Sequence, residues 1–325
     1  MTSRELVIQT LTYQNPERVA MSFPPPYPHD FIGGNVDIPN PAGEWKKVDE
    51  SRWERTDEWG NRWARIDETS KGEVATGALA SLDQLDALEM PDLGNPAFYE
   101  KAKLRFQNDG QECYRVGNLY GFTFNIARKI RKLEQYFVDL ALDRARIRIL
   151  HDRIDDLLVQ AIEHFAKIGA DAIMFGEDWG TQLGLLIHPE MWRDEFKPRF
   201  FRLCDTANSL NLKIFMHSCG KMTDIIPDLI ECGIDVLQFD QPRLHGLDHL
   251  ASFTGQVTYW CPVDIQTTLQ SKNKNLIEAD VQEMLHKLWR RGGFIAGYYG
   301  DNPSIGLEPE WQDYACQAFI KYGRK

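Results

Sequence analysis

Apolar and polar positions change period along this chain. From residue 114 onward, short apolar runs of strand length alternate with longer stretches whose apolar residues recur at helical spacing. The runs predict strands over Tyr114–Leu119, Ala172–Gly176, Lys213–His217, Val236–Phe239, Val257–Cys261 and Phe294–Tyr298. Between them the pattern predicts helices over Leu140–Ile168, Pro189–Asn208, Thr223–Glu231 and Glu278–Arg290, with Gly169, Gly233 and Gly292 placed where helices stop. Strand and helix in strict alternation imply a parallel sheet covered by helices.

The N-terminal third reads differently. Ser3–Thr12 has helical spacing with Ser3 as N-cap, and Val19–Phe23 reads as a buried strand that Pro24-Pro25-Pro26 ends. Residues 24–110 lack a steady period. They carry Trp45, Trp53, Trp59 and Trp63 close together, too aromatic for a solvated linker. Trp59-Gly60-Asn61-Arg62-Trp63 predicts a hairpin with a tight turn, and the segment as a whole a small β-rich excursion. Val19–Phe23 and the six later runs give seven strands, and an eighth inside the irregular part would close a (β/α)8 TIM barrel. An open doubly wound sheet is the rival, but no G-x-G-x-x-G follows any strand.

The strand ends favour the barrel. Glu177 and Asp178 follow one strand, His217 and Cys219 the next, then Asp240, then Cys261 with Asp264, then Tyr298, Tyr299 and Asp301. In a barrel all of these meet at the C-terminal mouth, where active sites lie. His217 and Cys219 are two apart in an extended segment, so both face one point, as two ligands of a thiophilic metal would. A packed cysteine beside a capping histidine is the alternative. With Asp240 and Cys261 they supply the ligand types of a zinc site, Cys261 with the weaker claim between Trp260 and Pro262. Of the adjacent acids Glu177 and Asp178, one is expected to enter the mouth and the other a helix N-terminus. Asp264 is a candidate for capping the helix after Pro262 or for touching substrate, and Tyr298 and Tyr299 for lining the pocket. His188 is expected to end a loop, His151, His164, His245 and His249 to face solvent, and Arg144, Arg146 and Arg148 to form a salt-bridged surface. Cys113, Cys204, Cys232 and Cys316 read as packing residues.

Composition narrows the partners. The 325 residues carry a formal net charge of −11, which argues against nucleic acid and anionic membrane. Six cysteines without disulfide-like rhythm and an N-terminus without the apolar core of a signal peptide predict a cytoplasmic protein with reduced thiols. No apolar run approaches the roughly 20 residues of a membrane helix.

These motifs resemble the uroporphyrinogen decarboxylase superfamily over nearly the whole chain. Asn15-Pro16-Glu17-Arg18-Val19 is similar to its opening, and Asp57-Glu58-Trp59-Gly60 with Trp63 to the insert of its divergent members. Phe175–Gln182, Gly233–Asp240 and Val263–Gln266 also fit. The resemblance implies a single (β/α)8 barrel over 1–325, with about 24–110 as an N-terminal insert. The arginine-rich segment that holds porphyrinogen carboxylates is missing, while His217-Ser218-Cys219 resembles the zinc-binding element of the corrinoid- and coenzyme M-dependent methyltransferases. Those enzymes place another cysteine after the last strand; here that stretch reads Gly297-Tyr298-Tyr299-Gly300-Asp301-Asn302. The resemblance implies a methyltransferase of the O-demethylase type. It would move a methyl group from a small methylated donor, such as a methoxylated aromatic, to a thiol or to the corrinoid (cobalamin) of a separate protein. Zinc would sit at His217, Cys219 and Asp240, completed by Cys261 or a tyrosine. Glu177, Asp178, Asp240 and Tyr299 would be catalytic, with Trp179, Gln182, Asp264 and Tyr298 at the substrate, in a monomer or homodimer. A metal-free decarboxylase and a non-catalytic binder of a corrinoid protein or small molecule are the alternatives.

Overall fold

The computed structural model describes residues 1–40 and 43–325. Twelve strands form two sheets: β1 (Ala20–Met21), β2 (Phe31–Asn35), β3 (Lys46–Asp49), β4 (Arg52–Thr56), β5 (Arg62–Arg65), β6 (Glu73–Thr76), β7 (Tyr114–Asn118), β8 (Ala172–Gly176), β9 (Lys213–His217), β10 (Val236–Gln238), β11 (Thr258–Cys261) and β12 (Phe294–Ala296). The helices are α1 (Ser3–Leu11), α2 (Glu100–Asn108), α3 (Thr123–Ile130), α4 (Leu133–Leu142), α5 (Arg144–Lys167), α6 (Pro189–Glu195), α7 (Lys197–Ser209), α8 (Ile226–Glu231), α9 (Leu247–Ala251), α10 (Lys274–Leu288) and α11 (Glu310–Tyr322).

Eight parallel strands run in the order β1-β12-β11-β10-β9-β8-β7-β2 and curl into a TIM-barrel-like sheet surrounded by helices. The edge strands β1 and β2 meet at a seam, where the Asp30 N–H donates to Met21 O at 2.9 Å. The Asp30 carboxylate reinforces it, accepting from the Met21 N–H at 2.7 Å and from Arg18 at 2.6 and 2.7 Å. Strand alternation divides the core in two. Ala20, Phe31, Tyr114, Val116, Ala172, Phe215, Val236 and Ile295 point inward with Leu6, Val7 and Leu11 of α1. Helix α1 therefore plugs the N-terminal end, and Arg4 pins it by a two-point bond to Asp171 before β8. The alternate strand residues face the helices in the larger core.

The eighth strand is β2, inside the stretch expected to be irregular. Its Gly33-Gly34 pair hides it from an apolar count, and the glycine serves packing. A Cβ on Gly34 would lie 2.7 Å from Ala102 Cβ and 2.8 Å from Phe106, so α2 rests on bare backbone. Other boundaries also differ. Thr2 and not Ser3 caps α1, in a capping box with Glu5. The helix expected over 140–168 is two, because Asp143 leaves helical geometry and caps α5 through the Arg146 N–H. The one expected over 189–208 breaks at Phe196.

The insert forms an antiparallel sheet, β3-β4-β5-β6. Its central hairpin turns over Asp57–Asn61 and is wider than the sequence suggests. Asp57 Oδ1 accepts from the Trp59 and Asn61 N–H groups, while Oδ2 accepts from Asn61 Nδ2 and Trp63 Nε1 at 3.0 and 2.7 Å. These four bonds turn Trp59 into the core. Asp57→Ala is expected to leave those donors unsatisfied at a local cost of about 2–3 kcal/mol. Hydrogen exchange of the Trp59 and Asn61 amides should then speed up by roughly 30- to 100-fold while barrel amides keep their protection.

Across β4 and β5, Trp53 pairs with Arg65 and Arg55 with Trp63. One face of the insert thus alternates cations and indoles. The Arg65 guanidinium lies 4.5 Å from the Trp45 ring and 5.1 Å from Trp53, and Arg55 lies 5.1 Å from both Trp45 and Trp63. Lys129 of α3 continues the ladder, 5.7 Å over Trp63. A second tie is Lys71, whose Nζ donates to the Tyr299 hydroxyl at 3.1 Å and lies 3.4 Å from Asp301.

Among the described residues no helix is long and apolar enough to cross a membrane. His151 and His245, expected at the surface, are buried. The charged sequence around His151 hides that its face of α5 meets Tyr136 and Glu195, and His245 stacks 4.2 Å from Phe239. His164 is half-buried, bonded to Gly94 O at 2.8 Å, and His249 is exposed. His188 caps α6 by accepting from the Glu190 N–H. Arg144, Arg146 and Arg148 pair with Asp194, with Asp83 and Asp143, and with Glu195.

Candidate active site

Inward positions at the C-terminal ends of the strands carry polar side chains. His217 ends β9, two residues beyond inward-facing Phe215, and Gln238 ends β10, two beyond Val236. Alternation therefore aims the imidazole and the amide into the same mouth. Among the described residues, Asp178, His217 and Cys219 form the group of potential metal donors whose ligand atoms lie within 4.8 Å of one another. His217 Nε2 is 3.2 Å from Cys219 Sγ and 3.5 Å from Asp178 Oδ1.

Each member is held. His217 Nδ1 bonds Gln238 Oε1, and since an amide oxygen only accepts, Nδ1 carries the proton and Nε2 offers its lone pair. Gln238 Nε2 in turn donates to Asp240 Oδ1 at 2.8 Å. Asp178 accepts from the Cys219 N–H at 3.0 Å and from Arg128 of α3 at 3.2 Å, and Arg128 also grips Asn125. Burial pushes the Asp178 carboxyl up, but His217, the Cys219 N–H and Arg128 outweigh it and hold the group below the usual range. Cys219 goes the other way. Although the residue is exposed at the rim, desolvation of its sulfur by the walls of the mouth and the neighbouring carboxylates of Asp178 and Asp240 push its thiol up to about 12. A divalent cation among these donors reverses that logic, because it favours thiolate and carboxylate together.

The donor set fits zinc. Tetrahedral zinc with bonds of about 2.0–2.3 Å needs nitrogen, oxygen and sulfur donors about 3.3–3.6 Å apart, close to the 3.2 and 3.5 Å that separate His217 Nε2 from the other two donors. Three protein donors with a fourth position open is the pattern of catalytic zinc, and a hydrogen-bond acceptor on the other imidazole nitrogen is its usual companion.

Other candidates lie elsewhere. Cys261 is fully buried and faces the helices, since its neighbour Trp260 takes the inward position and stacks 5.3 Å from Phe31. Asp240 stands behind Gln238 and outside the donor group. Glu177 is buried with both oxygens 3.2 Å from the Asn125 N–H in the first turn of α3, and burial pushes its carboxyl up to about 8. Trp179 is wholly buried, 4.1 Å from the Phe124 ring. Gln182 is exposed on the loop after β8. Asp264 commits one oxygen to the Gln266 and Thr267 N–H groups and the other to the Arg243 N–H, a turn-building role. Tyr298 accepts from Asn302, and Tyr299 meets Lys71 at the rim. Arg128, Lys71 and Gln238 were not singled out from the sequence as site residues. Arg128 lies in α3, ten positions beyond the end of β7, and so falls outside the strand-end residues. A cavity of about 710 Å³ lies away from this cluster, between Asp57–Gly60 of the insert hairpin and the stretch of Gln84 and Ala87–Pro91.

Residues 68–324 match the family described as Uroporphyrinogen decarboxylase (URO-D). No curated protein sequence matches the chain. Among solved structures, a methyltransferase from Methanosarcina mazei superposes with a TM-score of 0.62 at 15% identity, covering 82% of this chain and 76% of that one. A B12-independent methionine synthase from a Shewanella species, in complex with selenomethionine, gives 0.48 at 12% identity, covering 69% and 64%. At these identities the first likeness establishes the fold alone, and the second carries no argument.

Proposed function

This chain belongs to the uroporphyrinogen decarboxylase family, and we propose that within it the protein is a zinc-assisted methyltransferase, with the metal held by Asp178, His217 and Cys219. Family membership supports an enzyme of the methyltransferase or decarboxylase kind. The observation that favours methyl transfer is the convergence of a thiol, an imidazole and a carboxylate within 4.8 Å at the barrel mouth. The donor would be a small methylated compound, a methoxylated aromatic being the class that suits the indole-rich insert. The acceptor would be a thiol or the corrinoid of a separate protein.

Bound zinc would supply Lewis acidity toward the donor's ether oxygen or lower the pKa of an acceptor thiol. The protein's own part is orientation. Gln238, anchored by Asp240, fixes the His217 tautomer. Arg128 and the Cys219 N–H fix Asp178. Lys71 and Tyr299 close one side of the rim.

Metal analysis of the purified protein should find about one zinc per chain, and a methoxylated aromatic should methylate added cob(I)alamin, followed by absorbance. Failure to bind zinc on reconstitution would remove this reading, and metal-free carbon dioxide release from a porphyrinogen would replace it with decarboxylation. Gln238→Leu, which frees the imidazole, is expected to weaken zinc binding by about 10- to 100-fold in a chelator competition, with the circular dichroism spectrum unchanged.

A further inference from the structure

We propose that the chamber between the tryptophan–arginine face of the insert and α3 binds the carboxylate end of an aromatic methyl donor, with Lys129 as the anion's partner and Trp63 as a wall for the ring. This rests on the reading of the rim as a methyl-transfer site and adds the charge of the substrate to it.

The chamber is about 370 Å³ and is lined by Arg55, Glu58, Trp59, Trp63, Tyr120 and Lys129 among others, within the size range of small-molecule sites. Its cations lack a carboxylate at ion-pair distance. Among the described residues, half-buried Arg55 and Lys129 form no ion pair, and Arg55 Nε is buried without a hydrogen-bond partner. Outside the insert, half-buried or buried guanidiniums such as Arg115, Arg131 and Arg199 meet carboxylates, at Asp171, Asp139 and Asp155. Half-burying a cation without a counter-charge costs free energy that an anionic ligand would recover.

The acids lining the chamber do not fill that role. Asp57 already accepts four hydrogen bonds within its turn. Glu58 lies outside ion-pair distance of Lys129, and burial raises its pKa, weakening it as a counter-ion. Burial likewise pulls the Lys129 ammonium down, in keeping with a cation that lacks a partner.

The walls choose an aromatic anion over an aliphatic one. Trp59, Trp63 and Tyr120 line it with aromatic side chains, which reward a flat ligand beyond its buried area. The chamber is tied to the metal donors through α3, where Lys129 adjoins Arg128, which holds Asp178. A ligand with its carboxylate at Lys129 and its far substituent toward Arg128 would approach that side of the rim.

Isothermal titration calorimetry on the full chain with 4-methoxybenzoate and with the neutral, equally shaped 4-methoxybenzamide tests this. The carboxylate is expected to bind at least about 10-fold more tightly than the amide. Lys129→Met should weaken carboxylate binding by about 10- to 100-fold with little effect on the amide, and Lys129→Arg should keep the preference. Lys321→Met, at an exposed lysine of α11 that lies 2.7 Å from Glu278 and outside the chamber's lining, should change neither. Equal binding of the two ligands, binding of neither, or an unchanged Lys129→Met would overturn the assignment. Titration of Cys219→Ser separates it from the metal reading. A retained preference supports the Lys129 site whatever happens at the metal, and a preference lost there would move the anion's partner to the rim.

Discussion

Cys219→Ser is expected to lower methyl transfer by on the order of 10³-fold and to strip the protein of zinc, while the fold survives. Loss of a metal that stabilises charge by several kcal/mol in the transition state corresponds to two to four decades in rate. The fold should survive because Cys219 is exposed at the rim and its backbone N–H, which bonds Asp178, is kept. Serine retains the shape but not the thiolate, so zinc content and rate should fall together. A variant that loses activity yet keeps full zinc would show that the sulfur acts in the chemistry and not as a ligand. One that keeps both would take Cys219 out of the site.

The second large effect is on stability. Glu195 is buried where α6 meets α5. One oxygen lies 2.9 Å from His151 Nδ1 and 3.1 Å from Arg199 Nε, the other 2.7 Å from Arg148 Nε. Burial pushes its carboxyl up, but hydrogen bonds from His151 and Arg148 and the charge of Arg199 bring it down to about 2 from an ordinary 4.5. A carboxyl depressed in the folded state stabilises above its unfolded pKa, and that stability is lost as pH falls through the folded value. Glu195→Gln is therefore expected to cost about 3 kcal/mol at neutral pH, or roughly 5 °C in Tm for a chain of this length. The gap between variant and wild type should close between pH 4.5 and 2. Thermal melts across that window check the sign, and a gap constant with pH would mean that packing, not charge, sets the cost.

The barrel was legible because its signal is redundant. Buried parallel strands are short apolar runs, their helices repeat at a different period, and polar residues gather past one end of each strand. Where a segment lacks one of these marks it goes unseen. The strand containing Gly33-Gly34 offers little apolar surface to count, because its backbone takes the helix directly. The site was legible in part for a similar reason. His217 and Cys219 declare themselves through type and spacing, whereas the choice of Asp178 over Asp240 as the nearest acid depends on how far each loop carries its residue from the strand end. Gln238 carries no charge and belongs to no ligand class, so a search for titratable groups passes over it. Arg128 and Lys129 lie on a helix whose faces are decided by the insert packing on one side and Asp178 on the other, contacts that span about 50 and 65 positions in the chain.

On the side away from the seam the first strand of the barrel pairs with the last, Ala20 with Ile295 and Met21 with Ala296. During synthesis the first strand must therefore wait, with that edge unpaired, until β12, about 275 positions further on, has left the ribosome. The segments that carry Asp178, His217 and Cys219 emerge well before that moment, so a nascent chain can present all three donors while its ring is still open. Acquisition of an ion at that stage would precede the final act of assembly.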